Sequence, residues 1–222
     1  MSVDNDRKDE ASKWRKRYQQ AIYAISHDLG APLRHIEAFS SMLLEEADQD
    51  ELVLSDEQKV WLGHIIGAGA LSKRMLTELS ELSRIYTAKG QFKTYEVEDL
   101  LGALDIAAVP PPGVNRVNVD IDRISQAVQD LSVNAQEYGD GCSIEVAAGA
   151  SGLSIKVINH TGGLDLQQWD EACAPFNRLG ARVDEEHIGL GLSRALAVAE
   201  KHGGELRFDH GNVELVLPEA PP

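Results

Sequence analysis

The chain has 222 residues, 43% of them apolar, and a formal net charge of −15 at pH 7. This length and composition allow one large core or two smaller ones. The strong negative charge repels nucleic-acid phosphates and anionic lipid headgroups, which argues against nucleic-acid and membrane partners.

Three further features of the sequence indicate a cytoplasmic protein. Cys142 and Cys173 are too few for a disulfide framework and do not have metal-ligand spacing. The segment from Met1 to Lys16 is charged and has no apolar region typical of a signal peptide. No run approaches the roughly 18 apolar residues that cross a bilayer.

The first predicted element is a long amphipathic helix from about Arg7 to Ala47. Its apolar residues recur every seven positions in two series offset by three, the pattern of a coiled-coil a/d seam. The series are Ile22, Leu29, Ile36 and Leu43, and then Ile25, Pro32 and Phe39. In this frame His27 occupies an f position and points away from the seam, with Asp28 beside it.

A second helix is predicted after a polar break at residues 48–54. Ser55 and Gln58 have the spacing of a capping box, and amphipathic periodicity continues to about Tyr86. Two helices joined by a short loop form a hairpin, which cannot cover its own apolar stripe. We therefore expect two copies to form a four-helix bundle, the alternative being that the stripe packs against the rest of the chain.

The composition changes near Lys89, so we predict a hairpin domain at 1–88 and a second domain at 89–222. The second domain is predicted to be an α+β two-layer sandwich, with helices on one face of a largely antiparallel sheet. The predicted strands are 92–97, 143–148, 153–158, 205–208 and 213–217, and the predicted helices are 98–104, 121–138 and 191–202.

Four short motifs follow one another along the chain. They are Ser26-His27-Asp28-Leu29 with Pro32-Leu33-Arg34, Asp130-Leu131-Ser132-Val133-Asn134-Ala135, Phe176-Asn177-Arg178-Leu179 and Gly189-Leu190-Gly191-Leu192-Ser193. In this order they resemble the phosphoacceptor box, N box, F box and second glycine box of two-component histidine kinases. The resemblance implies a dimeric helical hairpin followed by an ATP-binding domain of the GHKL (Bergerat) type.

The resemblance assigns a protein-histidine kinase activity centred on His27. This residue is implied to take a phosphoryl group and pass it to an aspartate in the receiver domain of a response regulator, with Asp28 orienting the ring or accepting its proton. A neutral imidazole is a good nucleophile near pH 7, which fits this role. The other six histidines are expected to be inert, solvated side chains.

The resemblance also implies the ATP site. Its residues would be Asn134, Asn159, Gly162, Gly163, Gly189 and Gly191, with Asn134 also binding Mg²⁺. An asparagine oxygen is a hard ligand suited to Mg²⁺. Glycines that precede a helix let backbone N–H groups approach phosphate closely.

Three of the departures from the family pattern concern the nucleotide site. Asn159 replaces the aspartate of the first glycine box, Thr161 replaces its first glycine, and Glu137 stands where a basic residue often follows the N-box asparagine. These departures keep a second hypothesis open, an ATP-incompetent phosphotransferase that relays phosphate between response regulators through a degenerate ATP domain. A third hypothesis, a serine-directed kinase of the anti-sigma type, is disfavoured by the histidine-bearing hairpin.

Overall fold

The computed structural model describes residues 22, 25–26, 28–47, 53–137, 140–160, 169–177, 188–209 and 211–221. His27, Gly162 and Gly163 lie outside these residues. The chain divides into two compact units, Met1–Thr87 and Ala88–Pro222. Within the described ranges, no helix combines the length and apolarity that a membrane span requires.

The first unit contains helix α1 (28–47) and helix α2 (Asp56–Thr87). The predicted capping box starts α2. The Ser55 backbone N–H donates to Gln58 Oε1 at 2.9 Å, and the Gln58 N–H donates to Ser55 Oγ at 3.2 Å. These reciprocal bonds satisfy two amides at the helix start and confirm the sequence prediction.

Helices α1 and α2 lie side by side. Lys73 Nζ on α2 is 3.4 Å from Glu37 Oε2 on α1. Gly69 is buried beside the same residue, because a Cβ added there would lie 3.8 Å from Glu37 Cβ. The buried positions of α1 include Ser40 and Ala47, which do not belong to the apolar seam.

The apolar seam of α1 is exposed. Five described members, Ile25, Leu29, Ile36, Phe39 and Leu43, are between 42% and 63% exposed, and Ile22 is half-buried. Within the first unit, helix α2 therefore does not cover these five side chains.

Helix α2 also exposes apolar side chains. Trp61 is 55% exposed and Ile65 is 43% exposed. Leu82, near the C-terminal end of α2, is buried. Within the first unit, both helices thus expose apolar side chains.

The described residues of the second unit form ten further elements. In chain order they are β1 (Lys93–Glu96), α3 (Val97–Ala103), β2 (Arg116–Val119), α4 (Ile121–Glu137), β3 (Cys142–Gly149), β4 (Gly152–Asn159), α5 (Trp169–Ala172), α6 (Gly191–Lys201), β5 (Glu205–Asp209) and β6 (Asn212–Leu217). Strands β1 and β2 form an antiparallel pair, and the other four form an antiparallel sheet of order β3-β4-β6-β5.

The core of this unit lies between the four-stranded sheet and two helices. Helices α4 and α6 pack against each other and against the sheet. Leu131 of α4, Val198 of α6, Ile155 of β4 and Leu215 of β6 are almost completely buried between them. The arrangement is the predicted two-layer sandwich, with the short elements β2 and α5 added.

A row of alternating charges crosses the other face of the sheet. The register places Glu145 of β3 opposite Lys156 of β4, Lys156 opposite Glu214 of β6, and Glu214 opposite Arg207 of β5. Strand alternation puts this row on the face away from Ile155 and Val157. Opposite charges in directly facing positions stabilise cross-strand pairs and favour this register over a slipped one.

Candidate functional site

Helix α4 positions the N-box asparagine. The apolar residues Ile124, Val128, Leu131 and Ala135 recur along one side of α4 and are buried. Asn134, directly before Ala135, is half-buried. Its side chain therefore lies at the border of the packed face, where an amide oxygen can reach a ligand while the helix stays anchored.

One turn earlier on α4, Asp130 joins this helix to α6. Arg194 Nε donates to Asp130 Oδ2 at 2.6 Å, and an Arg194 terminal nitrogen donates to Asp130 Oδ1 at 2.9 Å. Gln126 Nε2 donates to the same Oδ1 at 3.0 Å. The side chains of Asp130 and Arg194 are only 8% and 19% exposed, so solvent screens this bidentate pair weakly.

The second glycine box lies against the same turn of α4. Gly189 has φ +78°, in the left-handed region that favours glycine. A Cβ added at Gly191 would lie 3.7 Å from Asp130 Cβ, which is ordinary contact. Leu190 precedes α6 and provides no side-chain cap, so ligands can bond the first amides of the helix.

The F-box segment meets the glycine box through its backbone. Phe176 has φ +64°, and its N–H donates to the Gly189 carbonyl oxygen at 3.0 Å. Ser193 Oγ of α6 donates to the Cys173 carbonyl oxygen at 2.8 Å. Burial, with a smaller contribution from Asp170, raises the pKa of the Cys173 thiol to about 11, so this cysteine is a neutral thiol at pH 7.

Asn159 lies on a different element, at the C-terminal end of β4. It is half-buried, and its backbone N–H donates to Asn212 Oδ1 at 3.0 Å. Helix α4, which carries Asn134, packs against strand β4, which carries Asn159, so the two residues belong to neighbouring elements. Gly162 and Gly163 follow Asn159 in the sequence and lie outside the described residues.

The phosphoacceptor motif is described only in part. Asp28 is the first residue of the range 28–47 of α1 and is exposed, and Pro32, one turn later in the same helix, is also exposed. His27 itself lies outside the described residues, so its predicted outward orientation stays a prediction.

Two features test whether this site suits a nucleotide with its metal ion. A side-chain amide oxygen is a suitable ligand for Mg²⁺, and the uncapped N–H groups at the start of a helix are suitable hydrogen-bond donors to phosphate. Glu137, at the end of α4, is exposed, so its charge is solvated. The described residues therefore fit a magnesium nucleotide at its phosphate end.

Sequence reasoning did not identify Arg194 as part of this site. The residue directly follows the glycine box, but its partner Asp130 is 64 positions away in the sequence. Only the packing of α4 against α6 reveals the pair. An arginine close to a helix N-terminus, where the helix dipole disfavours a cation, was the one available signal.

Helices α4 and α6 cover one face of an antiparallel sheet, and α4, which carries the N box, contacts the glycine turn. These are the features of the GHKL class of ATPase domains. Residues 119–221 match the family described as histidine kinase-, DNA gyrase B-, and HSP90-like ATPase. The crystal structure of full-length ShkA in complex with AMPPNP has the same fold, with a TM-score of 0.52, 16% identity, and coverage of 91% of this chain and 47% of ShkA.

Curated relatives extend the similarity to most of the chain. The methanogenesis regulatory histidine kinase FilI of Methanothrix harundinacea is 27% identical over 204 residues, which cover 85% of this chain and 22% of FilI. The histidine protein kinase DivJ of Caulobacter vibrioides is 26% identical over 201 residues, which cover 82% of this chain and 33% of DivJ. Residues 119–221 are thus a GHKL ATPase domain, and over most of its length the chain is similar to sensor histidine kinase cores. The chain spans a third or less of these relatives.

Proposed function

We propose that this core binds ATP, phosphorylates His27 and passes the phosphoryl group to an aspartate of a response-regulator receiver domain. The observation that carries the proposal is the meeting of α4 with the glycine turn, in which Gly191 lies against Asp130 one turn from Asn134. This arrangement joins a metal-ligand side chain to a phosphate-binding helix N-terminus, as the resemblance requires.

The proposed nucleotide site uses both sides of this contact. The backbone amides at Gly189 and Gly191 would hold phosphate oxygens, and Asn134 would bind the Mg²⁺ that neutralises them. Asn159, with Gly162 and Gly163, would contact the adenine end. AMPPNP is the nucleotide named for the ShkA structure, which makes it the natural probe.

The proposed reaction begins with the neutral imidazole of His27. A ring nitrogen attacks the γ-phosphorus of ATP, the bond to the β,γ-bridging oxygen breaks, and ADP leaves with that electron pair. Asp28, adjacent in sequence and exposed, would orient the ring and accept the proton from its other nitrogen. In the second step the phosphorus–nitrogen bond breaks as a receiver carboxylate oxygen attacks.

We also propose the two-domain assignment and a homodimer. Residues 1–88 would form the dimerisation and phosphotransfer hairpin, and residues 89–222 the catalytic ATP-binding domain. The exposed seam of α1 supports the dimer, because two copies that face each other through it would bury these side chains in a four-helix bundle.

A second candidate function is the ATP-incompetent phosphotransferase. Asn159 favours it, since a neutral amide lacks the charge that strengthens a carboxylate's hydrogen bond to an amino group. Glu137 favours it also, because this exposed carboxylate stands where a basic residue often follows the N-box asparagine, so the position offers no cation to a phosphate. In this case His27 would receive its phosphoryl group from a response regulator.

Calorimetric titration with AMPPNP and Mg²⁺ separates the two functions. We expect saturable binding by the wild type and its loss in Asn134→Ala, because the variant lacks the metal-ligand oxygen. Incubation with ATP should then label His27, and His27→Gln should abolish labelling. Absence of binding up to millimolar nucleotide would exclude the kinase and leave the phosphotransferase.

A further inference from the structure

We infer that Arg194 is a positioning residue for the nucleotide site. By binding Asp130, it holds the first turn of α6 against the part of α4 that carries Asn134, and we call this pair the clamp. The inference rests on the proposed function, because it concerns the same phosphate-binding end. Arg194 does not belong to any of the four sequence motifs, so the inference adds a residue to the proposed site.

The geometry of the pair supports a clamp. Arg194 donates two hydrogen bonds, from different nitrogens, to the two oxygens of Asp130 at 2.6 and 2.9 Å. A planar guanidinium that bonds both oxygens of a carboxylate fixes orientation as well as distance, unlike a single ion pair. Gln126 holds one of these oxygens from the preceding turn of α4 at 3.0 Å, which fixes the carboxylate.

The clamp acts on the residues that would bind phosphate. Asp130 precedes Asn134 by one helical turn, so both side chains lie along the same side of α4. The Arg194 backbone N–H donates to the Leu190 carbonyl oxygen at 2.9 Å, which ties the arginine to the glycine turn. Gly191 packs on Asp130, where an added Cβ would be 3.7 Å from Asp130 Cβ. Movement of Arg194 would therefore shift Gly191 relative to Asn134.

The charges in this region explain why an arginine suits this position. Asp130 is a nearly buried carboxylate at the end of the site that must accept polyphosphate. Its charge would repel phosphate oxygens in a weakly screened environment. Arg194 neutralises that charge, and the carboxylate in turn offsets the unfavourable interaction of the cation with the N-terminal dipole of α6.

Arg194→Lys is the sharpest test, because it keeps the charge and loses the fork that bonds both carboxylate oxygens. The matched control is Arg207→Lys, since Arg207 also pairs with carboxylates of the same unit but lies on β5. We expect Arg194→Lys to weaken AMPPNP–Mg²⁺ affinity at least tenfold by calorimetry. The control should stay within twofold of wild type, with melting temperature recorded for both.

A second measurement reports on the clamp without nucleotide. Hydrogen exchange of the backbone amides at 190–195 should be faster in Arg194→Lys than in the wild type, at a temperature well below unfolding of either protein. The same amides in Arg207→Lys should exchange at the wild-type rate. Asp130→Asn, which removes the carboxylate partner, should accelerate exchange in the same segment.

The outcomes separate this inference from the proposed function. Wild-type affinity and unchanged exchange in Arg194→Lys would overturn the clamp while leaving the kinase intact. Absence of nucleotide binding by the wild type would overturn the proposed site, and exchange at 190–195 would then decide whether the clamp exists. A uniform acceleration across the second unit would show a merely structural residue and would also overturn the inference.

Discussion

His202 is held in one protonation state by two backbone groups. Its Nε2 accepts a hydrogen bond from the Asp120 backbone N–H at 3.0 Å, and its Nδ1 lies 2.7 Å from the Val198 carbonyl oxygen. An amide can only donate and a carbonyl can only accept, so Nε2 is unprotonated and Nδ1 carries the hydrogen. The ring also packs on Phe92, with 4.8 Å between centroids.

This environment corrects the expectation that every histidine other than His27 is solvated, because His202 is 7% exposed. Burial lowers the pKa of His202 below its ordinary 6.5, and Lys201 adds to this effect. The Val198 carbonyl and Asp120 act in the opposite direction without reversing it. Protonation would replace the acceptor at Nε2 by a donor that faces the Asp120 N–H.

The free energy of unfolding should therefore depend on pH through His202. The unfolded chain takes up its proton at higher pH than the folded chain, so the contribution of His202 is complete above pH 6.5 and is lost as pH falls through the lower folded-state pKa. Urea unfolding between about pH 8 and pH 5 should show a shallower loss in His202→Gln than in wild type.

A control for this experiment is His64→Gln, since His64 is exposed on α2. This variant should keep the wild-type dependence on pH. Equal pH dependence in wild type and His202→Gln would show that the buried imidazole does not contribute.

At the scale of single elements, the capping box of α2 gives a quantitative expectation. Ser55→Ala removes the oxygen that accepts from the Gln58 N–H, and the free energy of unfolding of the hairpin should fall by about 1 kcal/mol. Chemical unfolding followed by helical circular dichroism measures this loss.

The same substitution elsewhere on α2 provides the control. Ser72 Oγ donates to the Ala68 carbonyl oxygen inside the helix and caps no terminus. Ser72→Ala should therefore leave stability unchanged or raise it slightly, because alanine has the higher helix propensity. A similar loss in both variants would contradict the role assigned to the cap.

Elements with local signals were predictable from the sequence, and elements that depend on distant partners were not. The capping box and the period of α4 depend on residues close together in the sequence, so the start of α2 and the extent of α4 were predicted correctly. Strand β2 is four residues long and follows a proline-rich run, and its extended form comes from pairing with β1. Local pattern alone could not identify it.

The candidate site divides in the same way. The motifs predicted that Asn134, Gly189 and Gly191 belong to one site, which stays a prediction; in the structure Gly191 lies against Asp130, one turn from Asn134. The Asp130–Arg194 pair and the buried state of His202 required the tertiary packing. Side chains whose roles depend on partners from other elements carry little local signature in the sequence.

At the scale of the whole molecule, the open apolar seam predicts association between copies. Ile36→Glu places a charge in the centre of the seam, and sedimentation velocity should show a monomer under conditions in which we expect the wild type to be a dimer. Burying an unpaired carboxylate in an apolar interface is the physical reason. Ala38→Glu is the control, because Ala38 is exposed on the same helix but outside the seam, and it should remain dimeric.

The net charge modifies this association. Each chain carries a formal charge of −15, so two copies repel each other at low ionic strength. Added salt screens this repulsion, and the dimer should strengthen as salt rises from about 0.01 M towards physiological ionic strength. Weaker association with added salt would point to an interface held by ion pairs instead of by the apolar seam.

The Asp130–Arg194 pair has a consequence for how this sequence can diverge. A buried aspartate that loses its arginine costs more than either an intact pair or two neutral residues. In an alignment of relatives, positions 130 and 194 should therefore change together: an apolar residue at 194 should accompany a neutral residue at 130. Mutational paths between the two states should pass first through loss of the aspartate, because the reverse order leaves unpaired the more deeply buried of the two charges.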